Sequence, residues 1–357
     1  MIKLLIVDDS ALMRRQLMNL FQAEGDFDVR PARNGDEAVR ENRDFQPDVV
    51  TLDINMPEMD GLTALSLIMA ERPVAVVMVS SLTNEGALAT FEALNLGAVD
   101  YVAKPGGTIS LSIDRITEEL VAKVRAAARC RPRGKPSSTG TVARRMQEER
   151  KKIAAASSAL AAPRSAGDGL LVVGASTGGP RALEIVLSGL PANFPWPVLV
   201  AQHMPAAFTR AFAERLNQCC ALQVVEAGSA LPVEAGKIYI ARGGADMVLA
   251  NRAGRLTVLP MPENSQFLWH PSVELLGRSV LEHYDAKRVT AVLLTGMGYD
   301  GSDAFAEIKK RGGRTIAESE ETAVVYGMPA ELVAKGGASL VLAVERVASQ
   351  LSIWAGR

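Results

Sequence analysis

Cysteine and histidine are both scarce in this chain, and long apolar runs are missing altogether. The three cysteines are Cys130, Cys219 and Cys220. An odd number with one adjacent pair excludes a disulfide framework and fits a reducing compartment, so a cytoplasmic location is expected. No stretch approaches the roughly 20 apolar residues of a membrane-spanning helix. The opening run Leu4-Leu5-Ile6-Val7 is too short for a signal peptide and leads directly into Asp8-Asp9. Charge of one sign is also lacking: 39 basic residues face 40 acidic ones. Nothing global therefore points to nucleic acid or to membrane insertion. Only His203, His270 and His283 are available as imidazole bases, which shortens any search for an acid–base residue.

What is present is strand–helix alternation, twice. In residues 1–125, apolar runs at Leu4–Val7, Val49–Leu52, Val74–Val79 and Val99–Val102, with a weaker one at Phe27–Arg30, alternate with amphipathic stretches near 11–23, 34–43, 62–71, 85–95 and 112–128. Continuous apolar strands separated by helices predict a parallel sheet covered on both faces, here a five-stranded doubly wound domain. Residues 126–168 differ, being basic and rich in Pro, Ser and Ala, and read as a linker with a helix near 142–156. From residue 169 to 357 the alternation resumes at Leu170–Gly174, Val198–Gln202, Lys237–Ala241 and Val289–Thr295. Three short segments over 237–259, separated by Gly-containing turns, predict an antiparallel excursion from this second, mainly parallel α/β sheet. At 357 residues the chain is long enough for two cores.

Ligands of such sheets bind beyond the carboxyl ends of the strands, and two residue sets fall there. In the first, strands end in Asp8-Asp9 and Asp53. Clustered carboxylates repel one another unless a hard divalent cation such as Mg²⁺ sits among them. Lys104, before Pro105, supplies a compact cation, and Ser80 a hydroxyl, for a phosphoryl group on a carboxylate. Taken singly, an Asp after a strand is a cap or turn residue and a Lys-Pro pair is surface. The ordered set is what carries meaning.

In the second set, Gly174-Ala175-Ser176-Thr177-Gly178-Gly179-Pro180 follows a strand and precedes a helix. Glycines around the serine permit a tight turn that presents its hydroxyl near backbone N–H donors. A phosphate loop lacks its G-x-G-x-x-G and its Lys-Ser/Thr, and a plain Gly-rich turn is the bland alternative. His203 closes the Val198–Gln202 run. His270 precedes a helix, and His283 sits at a helix C-terminus, where a cation is favourable on electrostatic grounds alone. His203 is therefore the candidate base. Asp300, after Val289–Thr295, is the candidate for fixing its tautomer, with a helix N-cap as the alternative role. Asp246 and Asp303 do not close buried strands.

These residues carry two resemblances. Val7-Asp8-Asp9-Ser10, Leu52-Asp53-Ile54-Asn55-Met56-Pro57, Met59-Asp60-Gly61, Val79-Ser80 and Lys104-Pro105 make residues 1–125 similar to response-regulator receiver domains. That resemblance implies phosphorylation of Asp53, a Mg²⁺ site of Asp8, Asp9, Asp53 and the Asn55 carbonyl, phosphoryl sensing by Ser80 and Lys104, and Tyr101 as aromatic switch. Residues 169–357 resemble the catalytic domain of the chemotaxis protein-glutamate methylesterase (CheB) family. The match lies in the Ser176 loop, Gln202-His203-Met204-Pro205, Phe208-Thr209, Phe212-Ala213, Arg215-Leu216, Pro271-Ser272-Val273, Thr295-Gly296-Met297-Gly298, Asp300-Gly301 and Val324-Val325-Tyr326-Gly327-Met328-Pro329.

The second resemblance implies hydrolysis of glutamate methyl esters on chemoreceptor helices, with deamidation of receptor glutamines as an accompanying activity. Ser176 would be the nucleophile, His203 the base and acid, Asp300 its orienting partner, and the Thr177 and Met297 N–H groups the oxyanion hole. No cofactor is implied for ester hydrolysis. A CheA-type histidine kinase would be the phosphodonor. His270 stands where many relatives carry Arg, Glu274 replaces the usual Asp, and Glu318 a common Gln. Two readings compete: a phosphorylation-controlled binding module without activity, and an esterase or amidase for small metabolites.

Overall fold

The computed structural model describes residues 1–80, 83–104, 112–130 and 169–356. The expected linker helix near 142–156 lies outside them, as does Pro105. The chain contacts divide it into two units, Met1–Ser137 and Ser138–Arg357.

The first unit runs Ile2–Val7 (β1), Ala11–Glu24 (α1), Phe27–Ala32 (β2), Gly35–Asp44 (α2), Val49–Asp53 (β3), Gly61–Glu71 (α3), Ala75–Ser80 (β4), Asn84–Leu96 (α4), Asp100–Ala103 (β5) and Ser112–Arg129 (α5). All five strands pair in parallel, in the order β2-β1-β3-β4-β5. Every residue of β3 and β4 is buried, as two-sided helix cover requires. Helix starts follow local chemistry: Asn34, Asp60 and Thr83 each accept from a backbone N–H of the first turn they precede. Helix α5 continues to Arg129, beyond the position where composition alone suggests a linker begins.

The second unit contains Leu170–Ala175 (β6), Gly179–Ser188 (α6), Val198–Gln202 (β7), Ala206–Cys219 (α7), Gln223–Ala227 (β8), Leu231–Pro232 (β9), Lys237–Ala241 (β10), Asp246–Arg252 (β11), Arg255–Met261 (β12), Val273–His283 (α8), Val289–Leu293 (β13), Ser302–Lys310 (α9), Arg314–Glu318 (β14), Met328–Ala334 (α10), Leu340–Leu342 (β15) and Val344–Ala355 (α11). Seven strands form a parallel sheet in the order β15-β14-β13-β6-β7-β10-β8. The antiparallel excursion is present, but its membership differs from expectation. Ile238–Ile240 belong to β10 in the main sheet, and the small sheet is β11-β12-β9. The short β9, β14 and β15 lack a distinctive apolar run, and β8 mixes exposed, half-buried and buried residues.

The strand order places the chemistry. From β6 the chain proceeds to β7 on one side and later to β13 on the other, so the crevice beyond β6, β7 and β13 is a topological switch point. The loops carrying Ser176, His203 and Asp300 leave these three adjacent strands. Close packing brings the start of α8 to the same rim. A Cβ on Gly174 or on Gly301 would come within 2.3 Å of Val273 Cγ1, so only glycine lets α8 seat there. Gly301 also adopts φ +84°, a left-handed conformation that a side chain would strain.

Candidate active site

The turn after β6 exposes Ser176 immediately before α6, whose start at Gly178 has no side-chain cap. Its N–H donates to Thr295 O at 2.9 Å, and Gly296 lies so close that a Cβ there would sit 2.7 Å from Ser176 Cβ. The turns after β6 and β13 are thus locked together. The end of β7 is tied to the same rim, since His203 N donates to Ala175 O at 3.1 Å. Gln202, buried at the last position of β7, donates through Nε2 to the carbonyl oxygens of Ser176 and His203, each at 3.0 Å.

The His203 ring is held from both edges. Nδ1 lies 3.0 Å from Ser176 Oγ, and Nε2 lies 2.7 Å from Asp300 Oδ2. A carboxylate only accepts, so Nε2 carries the proton in the neutral ring and Nδ1 is left to accept from the serine hydroxyl. Asp300 is 3% exposed and nevertheless fully partnered. It also accepts from Val273 N at 2.7 Å, Glu274 N at 2.9 Å and Ser272 Oγ at 3.1 Å. Burial raises its carboxyl, but the His203 hydrogen bond and charge, followed by the two backbone N–H groups, outweigh it and hold it below the usual carboxylate range. The capping role considered for Asp300 is real in an unexpected form. It does not cap α9, whose N-cap is Gly301, but accepts from the first turn of α8.

Thr177 is buried, and among the described residues no main-chain carbonyl accepts from its N–H or from that of Met297. The Met297 loop is fixed from behind. Thr295 Oγ1 donates to Thr177 O at 2.8 Å and accepts from Val325 N at 2.9 Å, and Met328 N donates to Gly296 O at 2.8 Å. Beside the site, Leu268 and Tyr299 are 73% and 51% exposed. With Phe267, Trp269 and Asp300 they line a cavity of about 150 Å³.

In the first unit, Asp8 and Asp53 are buried and Asp9 is exposed, and oxygens of all three lie within 4.8 Å of one another. Lys104 Nζ reaches Asp53 Oδ2 at 2.7 Å and Asp8 Oδ2 at 2.9 Å. Asp8 Oδ2 is otherwise without a hydrogen-bond donor. An all-oxygen carboxylate set with an under-used buried acceptor fits a hard cation such as Mg²⁺. Burial pushes the Asp53 carboxyl up despite Lys104. Burial pulls the Lys104 ammonium down, but the two carboxylates facing it leave it above the ordinary lysine range. Asn55 follows on the exposed rim, its N–H 3.4 Å from Asp53 Oδ1. The Ser80 hydroxyl is turned into α4, donating to Gly86 O at 3.2 Å. Tyr101 is buried, with Lys123 Nζ 5.2 Å above its ring.

Comparison with known proteins agrees with both halves. The family described as CheB methylesterase matches residues 171–351, and that described as response regulator receiver domain matches residues 4–113. A Rhodospirillum rubrum protein named protein-glutamate methylesterase/protein-glutamine glutaminase 3 is 54% identical over 100% of this chain and 97% of its own length.

The chain belongs to the CheB methylesterase family.

A second relative of this CheB-family enzyme, from Rhodopseudomonas palustris and named protein-glutamate methylesterase/protein-glutamine glutaminase 2, is 52% identical over 99% of this chain and 98% of its own. The solved CheB methylesterase catalytic domain of Thermotoga maritima is 36% identical, with a TM-score of 0.50, and covers 52% of this chain and 98% of that one. Among the described residues, no helix of this CheB protein is long and apolar enough to cross a membrane.

Some site residues escape a reading by strand ends. Asp246, buried at the start of β11, accepts from Ser272 N at 2.7 Å and Asn264 N at 3.0 Å, and faces His270 Nδ1 at 3.0 Å. A second His–Asp pair therefore braces the segment leading into α8. Glu318 accepts from Thr295 N at 2.8 Å and Thr322 Oγ1 at 2.9 Å, and so supports the Met297 loop. Trp269 stacks on His203 with ring centroids 5.8 Å apart. Asp246 and Trp269 close no strand, whereas Glu318 ends β14 and, like His270, is marked in the sequence by its place in the family resemblance.

Proposed function

We propose that this protein hydrolyses glutamate methyl esters, and deamidates glutamines, on chemoreceptor cytoplasmic helices by a Ser176–His203–Asp300 mechanism gated by phosphorylation of Asp53. One observation carries the catalytic part: His203 is bonded on one edge to Ser176 Oγ and on the other to Asp300. In this reading Nδ1 takes the hydroxyl proton as Oγ attacks the ester carbonyl. The oxyanion is met by the Thr177 and Met297 N–H groups. The imidazolium, steadied by Asp300, then gives its proton to the departing methoxide, which leaves as methanol. Water, activated by the same nitrogen, hydrolyses the acyl-serine and restores both the enzyme and a glutamate carboxyl. A glutamine side chain follows the same course with ammonia as leaving group.

The surroundings favour a protein substrate over a small metabolite. The cavity of about 150 Å³ beside the site is bordered by Trp269 and Asp300 rather than by Ser176 and His203. Exposed Leu268 and Tyr299 rim it, and exposed apolar residues grouped together mark contact surfaces.

In the receiver, Asp53 is the proposed phosphoacceptor, with a histidine kinase as donor. Asp8, Asp9, Asp53 and the Asn55 carbonyl would hold Mg²⁺, which when bound supplies charge neutralisation for phosphoryl transfer. Lys104 would pair with a phosphoryl oxygen. Ser80, turning from Gly86 O, would donate to another, and Tyr101 would repack in response. The same reading places the protein in the cytoplasm.

The test is methanol release. Purified protein is expected to release methanol from a methylated receptor cytoplasmic fragment with far higher kcat/KM than it cleaves 4-nitrophenyl acetate. Preference for the activated small ester would favour the metabolite-esterase reading, and no hydrolysis of either would favour a binding module.

A further inference from the structure

We propose that Trp269 is a positioning residue for the His203 base and stabilises the imidazolium formed during each proton transfer; this rests on the Ser176–His203–Asp300 reading. His203 is pinned at Nδ1 by Ser176 and at Nε2 by Asp300. Two bonds at opposite edges fix the ring's place but leave it free to tilt about the line joining them. The indole of Trp269 removes that freedom. Its plane lies 4° from that of the imidazole, with centroids 5.8 Å apart.

The indole is itself held. Tyr299 meets it edge-on at 5.2 Å and 84°, a preferred aromatic arrangement. Gly298 lies against the Cζ2–Cη2 edge of its benzo ring, where a Cβ would come within 2.7 Å of Trp269 Cζ2. Gly298 also adopts φ +82°, so the turn that carries Met297 is shaped to admit the indole. His203 is thus bounded by a nucleophile, a carboxylate and a braced aromatic face.

The aromatic face matters most when the ring is charged. A cation over the face of an indole, within about 6 Å of its centroid, is attracted by the ring's quadrupole, whereas the neutral imidazole gains only stacking. The interaction therefore strengthens as Nδ1 takes the serine proton. Stabilisation that grows between ground state and transition state raises kcat and leaves KM little changed. A merely apolar cover would not distinguish the two states.

The experiment compares Trp269→Phe and Trp269→Leu in the full-length protein, with a methylated receptor fragment as substrate. Trp269→Leu is expected to lower kcat roughly tenfold, equal to about 1.4 kcal/mol, with KM within about twofold. Trp269→Phe is expected to recover most of the loss. In case leucine disturbs the fold, site-specific replacement of Trp269 by tryptophans of increasing fluorination keeps the shape and weakens the quadrupole, and kcat is expected to fall stepwise. An unchanged kcat for leucine, equal losses for leucine and phenylalanine, a change confined to KM, or a flat fluorination series would each overturn the proposal. Ser176→Ala and His203→Ala run alongside. If they keep activity the mechanism itself fails, whereas inactive controls with a flat Trp269 series reject only this inference.

Discussion

Ser176→Ala and His203→Ala are each expected to reduce methyl-ester hydrolysis by about 10⁴- to 10⁶-fold, and the double variant to be no worse than either single one. The reason lies in the shared hydrogen bond. In the proposed mechanism His203 Nδ1, 3.0 Å from Ser176 Oγ, removes its proton, so losing either partner removes one chemical event. Members of such a unit do not contribute additively. Residual catalysis would come from the proposed Thr177 and Met297 N–H groups and from substrate positioning, which both variants keep. Neither change should unfold the protein, since Ser176 is half-exposed and His203 lies at the rim of the sheet. Single-turnover kinetics, with melting curves for each variant, check this. Additive losses would mean that the two residues act separately.

Asp300→Asn is expected to lower turnover by up to about 10⁴-fold and to destabilise the second unit as well. Both carboxylate oxygens are in use. Oδ2 accepts from His203 Nε2 and Val273 N, and Oδ1 from Glu274 N and Ser272 Oγ. An asparagine amide has one acceptor oxygen and one NH₂. With NH₂ toward His203, the ring must take the Nδ1–H tautomer and can no longer accept from Ser176. With NH₂ toward α8, it opposes the Glu274 N–H, at a cost of about 1–3 kcal/mol for an unmet buried donor.

The pH dependence has a definite sign. The native state holds the Asp300 carboxyl below its usual range, so its stabilisation is fully present above the unfolded value of about 3.9. It is lost only as pH falls through the lowered native value. The Asp300 contribution to the stability gap between the wild type and Asp300→Asn is therefore expected to shrink as pH falls below about 4. Denaturant melts between pH 5 and about pH 2 test it, and a gap that widened below about pH 4 would contradict the account. It also follows that protonation of Asp300 does not limit turnover at pH 5.

Much of this was legible in the chain because parallel strands buried on both faces write themselves as unbroken apolar runs. Val49–Asp53, Ala75–Ser80, Leu170–Ala175, Val198–Gln202 and Val289–Leu293 are buried throughout. Residues that end such strands fall on one rim, and for that reason Asp8, Asp53, Ser176, His203 and Asp300 stood out. The illegible parts are those where periodicity fails. Gln223–Ala227 is an edge strand of mixed burial, and Leu340–Leu342 is three residues long. Ile238–Ile240 read as part of the excursion because turns flank them, whereas their pairing partners, Val198–Val200 and Val224–Glu226, are set by tertiary contacts.

The site shows the same division. A motif exposes the residues that react, but not those that hold them. Asp300 receives two N–H donors from α8 only because Gly174 and Gly301 leave room for Val273. Glu318 supports the Met297 loop from the end of β14, and Asp246 anchors the entry to α8 from the start of β11. Trp269, eight residues beyond β12, reaches His203 from a segment without regular structure. Such partners are distant in sequence and are selected by packing rather than by pattern.

The central claim is that one chain couples a phosphorylation switch to a Ser–His–Asp esterase. Methanol release from a methylated receptor fragment measures it most directly, using full-length protein with and without a small-molecule phosphodonor and Mg²⁺, the Asp53→Ala variant, and the segment 169–357. Phosphodonor is expected to accelerate the full-length enzyme several-fold, Asp53→Ala to remain at the low rate with or without it, and the isolated segment to exceed the unphosphorylated full-length rate. Equal rates from all of them, unaffected by the phosphodonor, would contradict the account.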